Sequence, residues 1–135
     1  MYAEEAFWRR GGLGDSPLTS YRVLASWRGR IRRVVYDVNV ERGDWTLQQA
    51  ADYKYGAAPG QGEVDEDILR AIHWPAQLMT YFTGKMQLME LRRAYREKLG
   101  ASYSDRRFND AVLAEGSIPV ELIRAKLLGE AVPEP

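Results

Sequence analysis

LTSYRVLASWRGRIRRVVYDVNV, residues 18–40, decides the fold class of this chain. At helical spacing its apolar residues Tyr21, Leu24, Trp27 (or Ala25), Ile31, Val34, Val35 and Val38 fall on one stripe, which predicts a long amphipathic helix to about Val40. Its last third, with Val34, Val35, Val38 and Val40, is β-branched and suits a pleated strand, so a strand is the rival reading. Gly43 ends either one. The residues ahead favour the helix. Asp15 or Ser16 can accept from the orphan amides of a first turn, and Pro17 fits there because its missing N–H would have no partner.

Outward from this stretch the same helix punctuation recurs. Tyr2 to Arg10 reads as a short helix stopped by Gly11-Gly12, with Gly14 close behind. Thr46-Leu47-Gln48-Gln49 is a capping box that opens a short helix to Tyr55, with Trp45 placed to staple it from outside. GAAPGQG, residues 56–62, has no apolar anchor beyond two alanines and is expected to be a mobile loop. Glu63, Asp65, Glu66 and Asp67 then supply negative charge at a helix N-terminus, and Ile68, Leu69 and Ile72 carry that helix to Trp74. Pro75 disfavours helix at Trp74 and opens a further one at its own first turn, which should run to Leu99 with Gly100 as its stop. Ser104 or Asp105 caps another ending at Glu115-Gly116, and Ser117-Ile118-Pro119 opens the last, through Leu128. These elements predict an all-α assembly of six or seven helices, including one long central helix at about 75–99. A single helical domain over residues 1–128 and a disordered tail over 129–135 are expected.

Bulk composition narrows the function classes. A chain of 135 residues is long enough for a real core, since chains near this size bury roughly two thirds of their unfolded surface. Its 19 basic and 19 acidic residues cancel, so no global field draws it to nucleic acid or to an anionic membrane. The absence of cysteine excludes disulfides, thiolate metal sites and a cysteine nucleophile, and fits a reducing compartment. No apolar run approaches the ~20 residues that span a bilayer, and the acidic start Met-Tyr-Ala-Glu-Glu is unlike a secretory signal. A soluble, cytoplasmic chain is expected, unless it is cut from something larger.

Candidate chemistry is sparse. His73 is the one histidine, and no paired-ligand spacing accompanies it, so a structural or solvent-facing role is favoured over a metal site. Met79, Met86 and Met89, with Leu78, Phe82 and Leu88, make their helix apolar around most of its circumference and are expected to fill the core. Gly84 in the middle of that helix suggests a close helix crossing. Arg28, Arg30, Arg32 and Arg33 form a basic cluster beside Trp27; their spacing spreads them around the helix, which favours ion pairing with Asp37, Glu41 or the 63–67 segment over a nucleic-acid stripe. Arg33 and Asp37, one turn apart, are expected to pair. Arg70 could clamp a carboxylate and Tyr81 could donate to an oxyanion, and both residue types serve equally well as buried anchors.

Five segments, in order, resemble the domain-of-unknown-function 885 family, a bacterial family similar to zincin metallopeptidases. Tyr2-Ala3-Glu4-Glu5 resembles the end of a Tyr-x-Glu stretch, and Arg33-Val34-Val35-Tyr36-Asp37-Val38 an Arg-x-x-x-Asp helix. Gly43-Asp44-Trp45-Thr46-Leu47-Gln48-Gln49-Ala50 is similar to a Gly-x-Trp-Thr/Ser helix start. Arg70, Pro75, Gln77, Tyr81 and Gly84 resemble an Arg-(x)4-Pro-x-Gln-x-x-x-Tyr-x-x-Gly pattern. Phe108 to Leu113 with Gly116 to Pro119 resembles the family's ending, with Asn109 where a histidine is usual and Glu41 where many members have one. The resemblance implies a C-terminal portion of a larger peptidase-like protein, without the zinc-binding HExxPGHH-type segment. It implies no metal ligand and no cofactor in this chain, zinc being expected only in a full-length relative. Tyr81 would be a candidate oxyanion stabiliser; Arg70, Gln77 and Tyr81 would bind substrate; Arg33, Asp37, Glu4 and Glu5 would be supporting or structural. The implied partner is a missing N-terminal peptidase half, with peptide as substrate only in the complete enzyme. A non-catalytic module that self-associates or binds another protein is the alternative.

Overall fold

A computed structural model describes residues 2, 3 and 16–132. The expectations for Glu4, Glu5, Gly11-Gly12, Gly14, Asp15 and the last three residues lie outside the described residues. Within them the chain is all-α: α1 (Pro17–Glu41), α2 (Leu47–Tyr55), α3 (Glu66–His73), α4 (Thr80–Leu99), a 3₁₀ turn at Gly100–Ser102, α5 (Asp105–Ala114) and α6 (Val120–Leu128). No described residue is in a strand. No described helix is long and apolar enough to cross a membrane.

The local signals explain the starts. Ser16 is the N-cap of α1, its Oγ accepting from Thr19 N–H at 3.1 Å, and Pro17 occupies the first turn. Both halves of the capping box form at α2: Gln49 N–H donates to Thr46 Oγ1 at 3.2 Å and Thr46 N–H to Gln49 Oε1 at 2.8 Å. Asp65 caps α3 through Ile68 N–H at 3.1 Å, and Ser104 caps α5 through Arg107 N–H at 3.1 Å. The valines of α1 are helical because the helix has α2 and α3 to pack on, whereas a strand there would have no described strand to pair with.

The chain forms two compact units, residues 1–83 and 84–135. In the first, Tyr36 of α1, Ala50 and Ala51 of α2, Ile68 of α3 and Leu78 are fully buried, with Val40, Trp45, Leu47, Tyr53 and Val64 packed around them. Trp45 and Tyr53 meet with ring centroids 5.1 Å apart. In the second, Leu91, Tyr95, Phe108, Ile123 and Ala125 are buried, and Tyr95 lies 6.0 Å from Phe108. Arg92 pairs with Asp105 at 2.5 Å, Tyr103 donates to the same carboxylate at 2.6 Å, and Lys98 caps the last carbonyls of α6 at 3.1 and 2.8 Å.

Four expectations need correction. The fourth helix begins at Thr80, five residues after Pro75, because Trp74 is extended, Ala76 takes a left-handed φ of 61°, and the segment up to Met79 forms turns. Met86 and Met89 are 42% and 40% exposed, so they are not core filler. The buried side of α4 is the narrower stripe of Lys85, Leu91 and Tyr95, and polar Gln87 and Glu90 interrupt the apolar band. Among the described residues, a methyl group on Gly84 would meet nothing within 4 Å, so none of them accounts for a glycine there by a close helix crossing.

The fourth correction concerns loop 56–62. It is clasped by Asp52, whose carboxylate accepts from Gly60 N–H at 2.8 Å and Gly62 N–H at 2.7 Å, while Gln48 donates to the Gly62 carbonyl at 2.8 Å. Gly62 is buried hard against the backbone of Ala51 and Asp52, where a methyl group would not fit.

Candidate functional site

Arg70 lies in the last turn of α3 and Gln77 in the following turns; Tyr81 stands one residue into α4. The turn brings the three into a chain of hydrogen bonds. Arg70 Nη2 donates to Gln77 Oε1 at 2.5 Å, and Gln77 Nε2 approaches the Tyr81 hydroxyl at 3.4 Å. Arg70 is half-buried, Gln77 intermediate, and Tyr81 44% exposed, so the array runs from the protein body to the surface. Its guanidinium also lies 5.6 Å from the Trp74 ring and 3.6 Å from Asp67, and its Nε is a buried donor with no partner.

Asp37 and Arg33 support this corner from α1, though not as a pair. Asp37 Oδ2 accepts from Met79 N–H at 3.2 Å, which ties the turn to the core, and Oδ1 is buried without a partner. Burial pushes the Asp37 carboxyl up from its ordinary range, with Glu41 one turn away adding to the rise and the Met79 and Leu78 amides opposing it. Arg33 turns the other way, to Asp67 at 2.5 Å. The expected Arg33–Asp37 pair is absent because the buried Asp37 is already engaged by backbone, whereas Asp67 is presented by α3 to Arg33, Lys54 and Arg70 together.

Around Asp67 the charges interlock. Lys54 pairs with Asp65 and lies 3.6 Å from Asp67, and the Tyr55 hydroxyl donates to Asp65 at 2.5 Å. Asp65 is held below the usual carboxylate range: burial works against this, and the bonds from Lys54, Tyr55 and the Ile68 amide overcome it. Lys54 is raised: desolvation opposes, while the Asp65 bond and both carboxylate charges prevail. Sequence reading placed the acidic 63–67 segment as a partner for the arginines, and that holds for Arg33. It did not find Asp52, although an Asp beside a glycine-rich loop with free amides is a usable signal.

His73 is exposed, and among the described residues no three His, Asp or Glu side chains converge to hold a metal ion.

The described residues form an all-α chain with a guanidinium–amide–phenol array beside a turn that buried Asp37 ties down. The chain belongs to the family described as bacterial protein of unknown function (DUF885), whose model matches residues 1–127. No curated protein and no solved structure matches it.

Proposed function

We propose that this chain supplies the substrate-side wall of a peptidase-type site and is not catalytic alone. The observation that carries the reading is the Arg70–Gln77–Tyr81 array, in which Arg70 fixes Gln77 and Tyr81 reaches the surface. Arg70 and Gln77 orient a substrate carboxylate, and the exposed Tyr81 hydroxyl donates to the oxygen on which negative charge develops. Asp37 holds the turn that sets their spacing. The peptide as substrate class rests on the resemblance of the Arg70, Pro75, Gln77, Tyr81 and Gly84 pattern to a zincin-like family. The HExxPGHH-type segment is not in these 135 residues, which contain a single histidine, and another polypeptide stretch would supply it.

The test is a mixture of this chain with the zinc-bearing N-terminal half of a family member, assayed on short peptides. Hydrolysis is expected in the mixture, with Arg70→Gln raising KM and Tyr81→Phe lowering kcat by roughly 100-fold, the scale of one oxyanion donor. A mixture that stays inert, from halves that do not associate, overturns the reading.

A second reading is favoured by the exposure of Met86 and Met89, three residues apart on α4. An uncovered thioether pair suits a protein-binding or self-association surface. Light scattering distinguishes it: association that Met86→Lys with Met89→Lys abolishes supports it, and a clean monomer at micromolar concentration removes self-association.

A further inference from the structure

A second cleft lies within the first unit, away from the Arg70 array, between α1, the C-terminal end of α2 and Asp67 of α3. It has a volume of about 580 Å³ and is lined by Tyr21, Leu24, Arg28, Arg32, Tyr36 and Tyr55, with Ala25, Gly29, Arg33, Lys54 and Asp67 completing the wall. That volume is within the ~300–1,000 Å³ of small-molecule sites. Three of the four arginines that sequence spacing distributes around α1 thus face one cavity, because the packing of α2 and α3 on this side turns Arg28, Arg32 and Arg33 toward Lys54.

The charges in the cleft do not cancel. Arg33 and Lys54 are neutralised by Asp67 and Asp65. Arg32 donates to the Lys54 carbonyl at 2.6 Å and stacks over Tyr53 at 5.6 Å, with no carboxylate in contact among the described residues. Arg28 is exposed and has no hydrogen-bond or ion-pair partner among the described residues. Among the described residues, two guanidinium charges one helical turn apart have no carboxylate partner on the same wall. An independent observation points the same way. The Tyr36 side chain is fully buried and lines the cleft, and its hydroxyl, beside the Arg33 guanidinium, has no hydrogen-bond partner. Desolvation pushes that hydroxyl well up from its ordinary value, so it stays a proton donor.

We propose that this cleft binds a phosphate monoester, its dianionic head between Arg28 and Arg32 and its apolar body against Tyr21, Leu24 and Tyr55. Two planar guanidinium forks match a doubly charged, three-oxygen head better than a singly charged carboxylate, which would leave one cation uncompensated. The buried Tyr36 side chain, its hydroxyl beside Arg33, forms the floor of the cleft. A phosphodiester polymer is disfavoured because the chain has no net charge.

Phenyl phosphate is the probe, titrated into the full chain by calorimetry with benzenesulfonate as its singly charged counterpart. Saturable phenyl phosphate binding is expected, with benzenesulfonate clearly weaker. Arg28→Gln with Arg32→Gln should weaken phenyl phosphate by about tenfold or more. Tyr36→Phe should weaken it less, and Arg93→Gln, which removes an exposed arginine of the second unit, should leave it unchanged. Arg28→Gln alone disturbs no described contact and keeps the test independent of folding. The proposal is overturned by absence of saturable binding, by equal affinity for the sulfonate, by insensitivity to the arginine variants, or by tighter binding of an oligothymidylate that lacks a terminal phosphate.

Discussion

At the scale of single residues, Asp37 shows how one buried carboxylate can set the geometry of a surface array. Its Oδ2 holds the Met79 amide, and Met79 closes the turn that carries Gln77 toward Arg70. Asp37→Ala leaves that amide unsatisfied and is expected to cost about 1–3 kcal/mol in a urea melt. Asp37→Asn behaves differently, because an amide oxygen still accepts the bond without a buried charge. Burial raises the Asp37 carboxyl above its unfolded value of 3.8, so the folded state holds its proton more tightly. That contribution favours folding at low pH and is lost as pH rises from 3.8 through the raised folded value. The Asn variant should therefore be at least as stable as the native chain at pH 7, with its advantage shrinking toward pH 4. Gly62 makes the complementary point: Gly62→Ala forces a methyl group into the Ala51 backbone and is expected to cost roughly 1–3 kcal/mol.

At the scale of elements, caps set the helix starts, and charge clasps shape what lies between. Loop 56–62 is rich in glycine, yet Asp52 binds two of its amides with separate oxygens, Oδ2 to Gly60 and Oδ1 to Gly62. Those two amides hold the Asp52 carboxyl below its ordinary value. The clasp is complete above the unfolded value of 3.8 and is lost as pH falls through the lowered folded value. Hydrogen exchange at Gly60 and Gly62 is expected to show protection that weakens over that fall, after correction for intrinsic rates. Asp52→Asn has one acceptor oxygen where two are used, and should loosen one of the two amides at neutral pH. The composition of the loop alone predicted mobility because free amides are visible in a sequence, while the acceptor that reaches them depends on where α2 ends.

At the scale of the molecule, each unit carries its own buried cluster, Tyr36, Ala50, Ala51, Ile68 and Leu78 in the first and Leu91, Tyr95, Phe108, Ile123 and Ala125 in the second. Phe108→Ala should cost about 3–5 kcal/mol in a urea melt followed by far-UV circular dichroism, since Phe108 is fully buried against Tyr95. All four tryptophans fall in residues 1–83, so their fluorescence reports the first unit.

What the sequence by itself determined is local: the start of the helix at Pro17, the capping box at Thr46 and the break around Pro75, each fixed by bonds that reach three or four residues, while the choice of helix over strand for the valines of 34–40 fell to packing on α2 and α3. The candidate array was legible in part, as a residue pattern on Arg70, Gln77 and Tyr81. Only the tertiary structure decided the rest. Arg33 meets Asp67 across 34 residues and Asp37 meets Met79 across 42, and the Arg28–Arg32 cleft exists because α2 and α3 pack on that face of α1. Such partners are chosen by how helices stack around Tyr36 and Ile68, and helical periodicity names the face of a helix without naming what will lie against it.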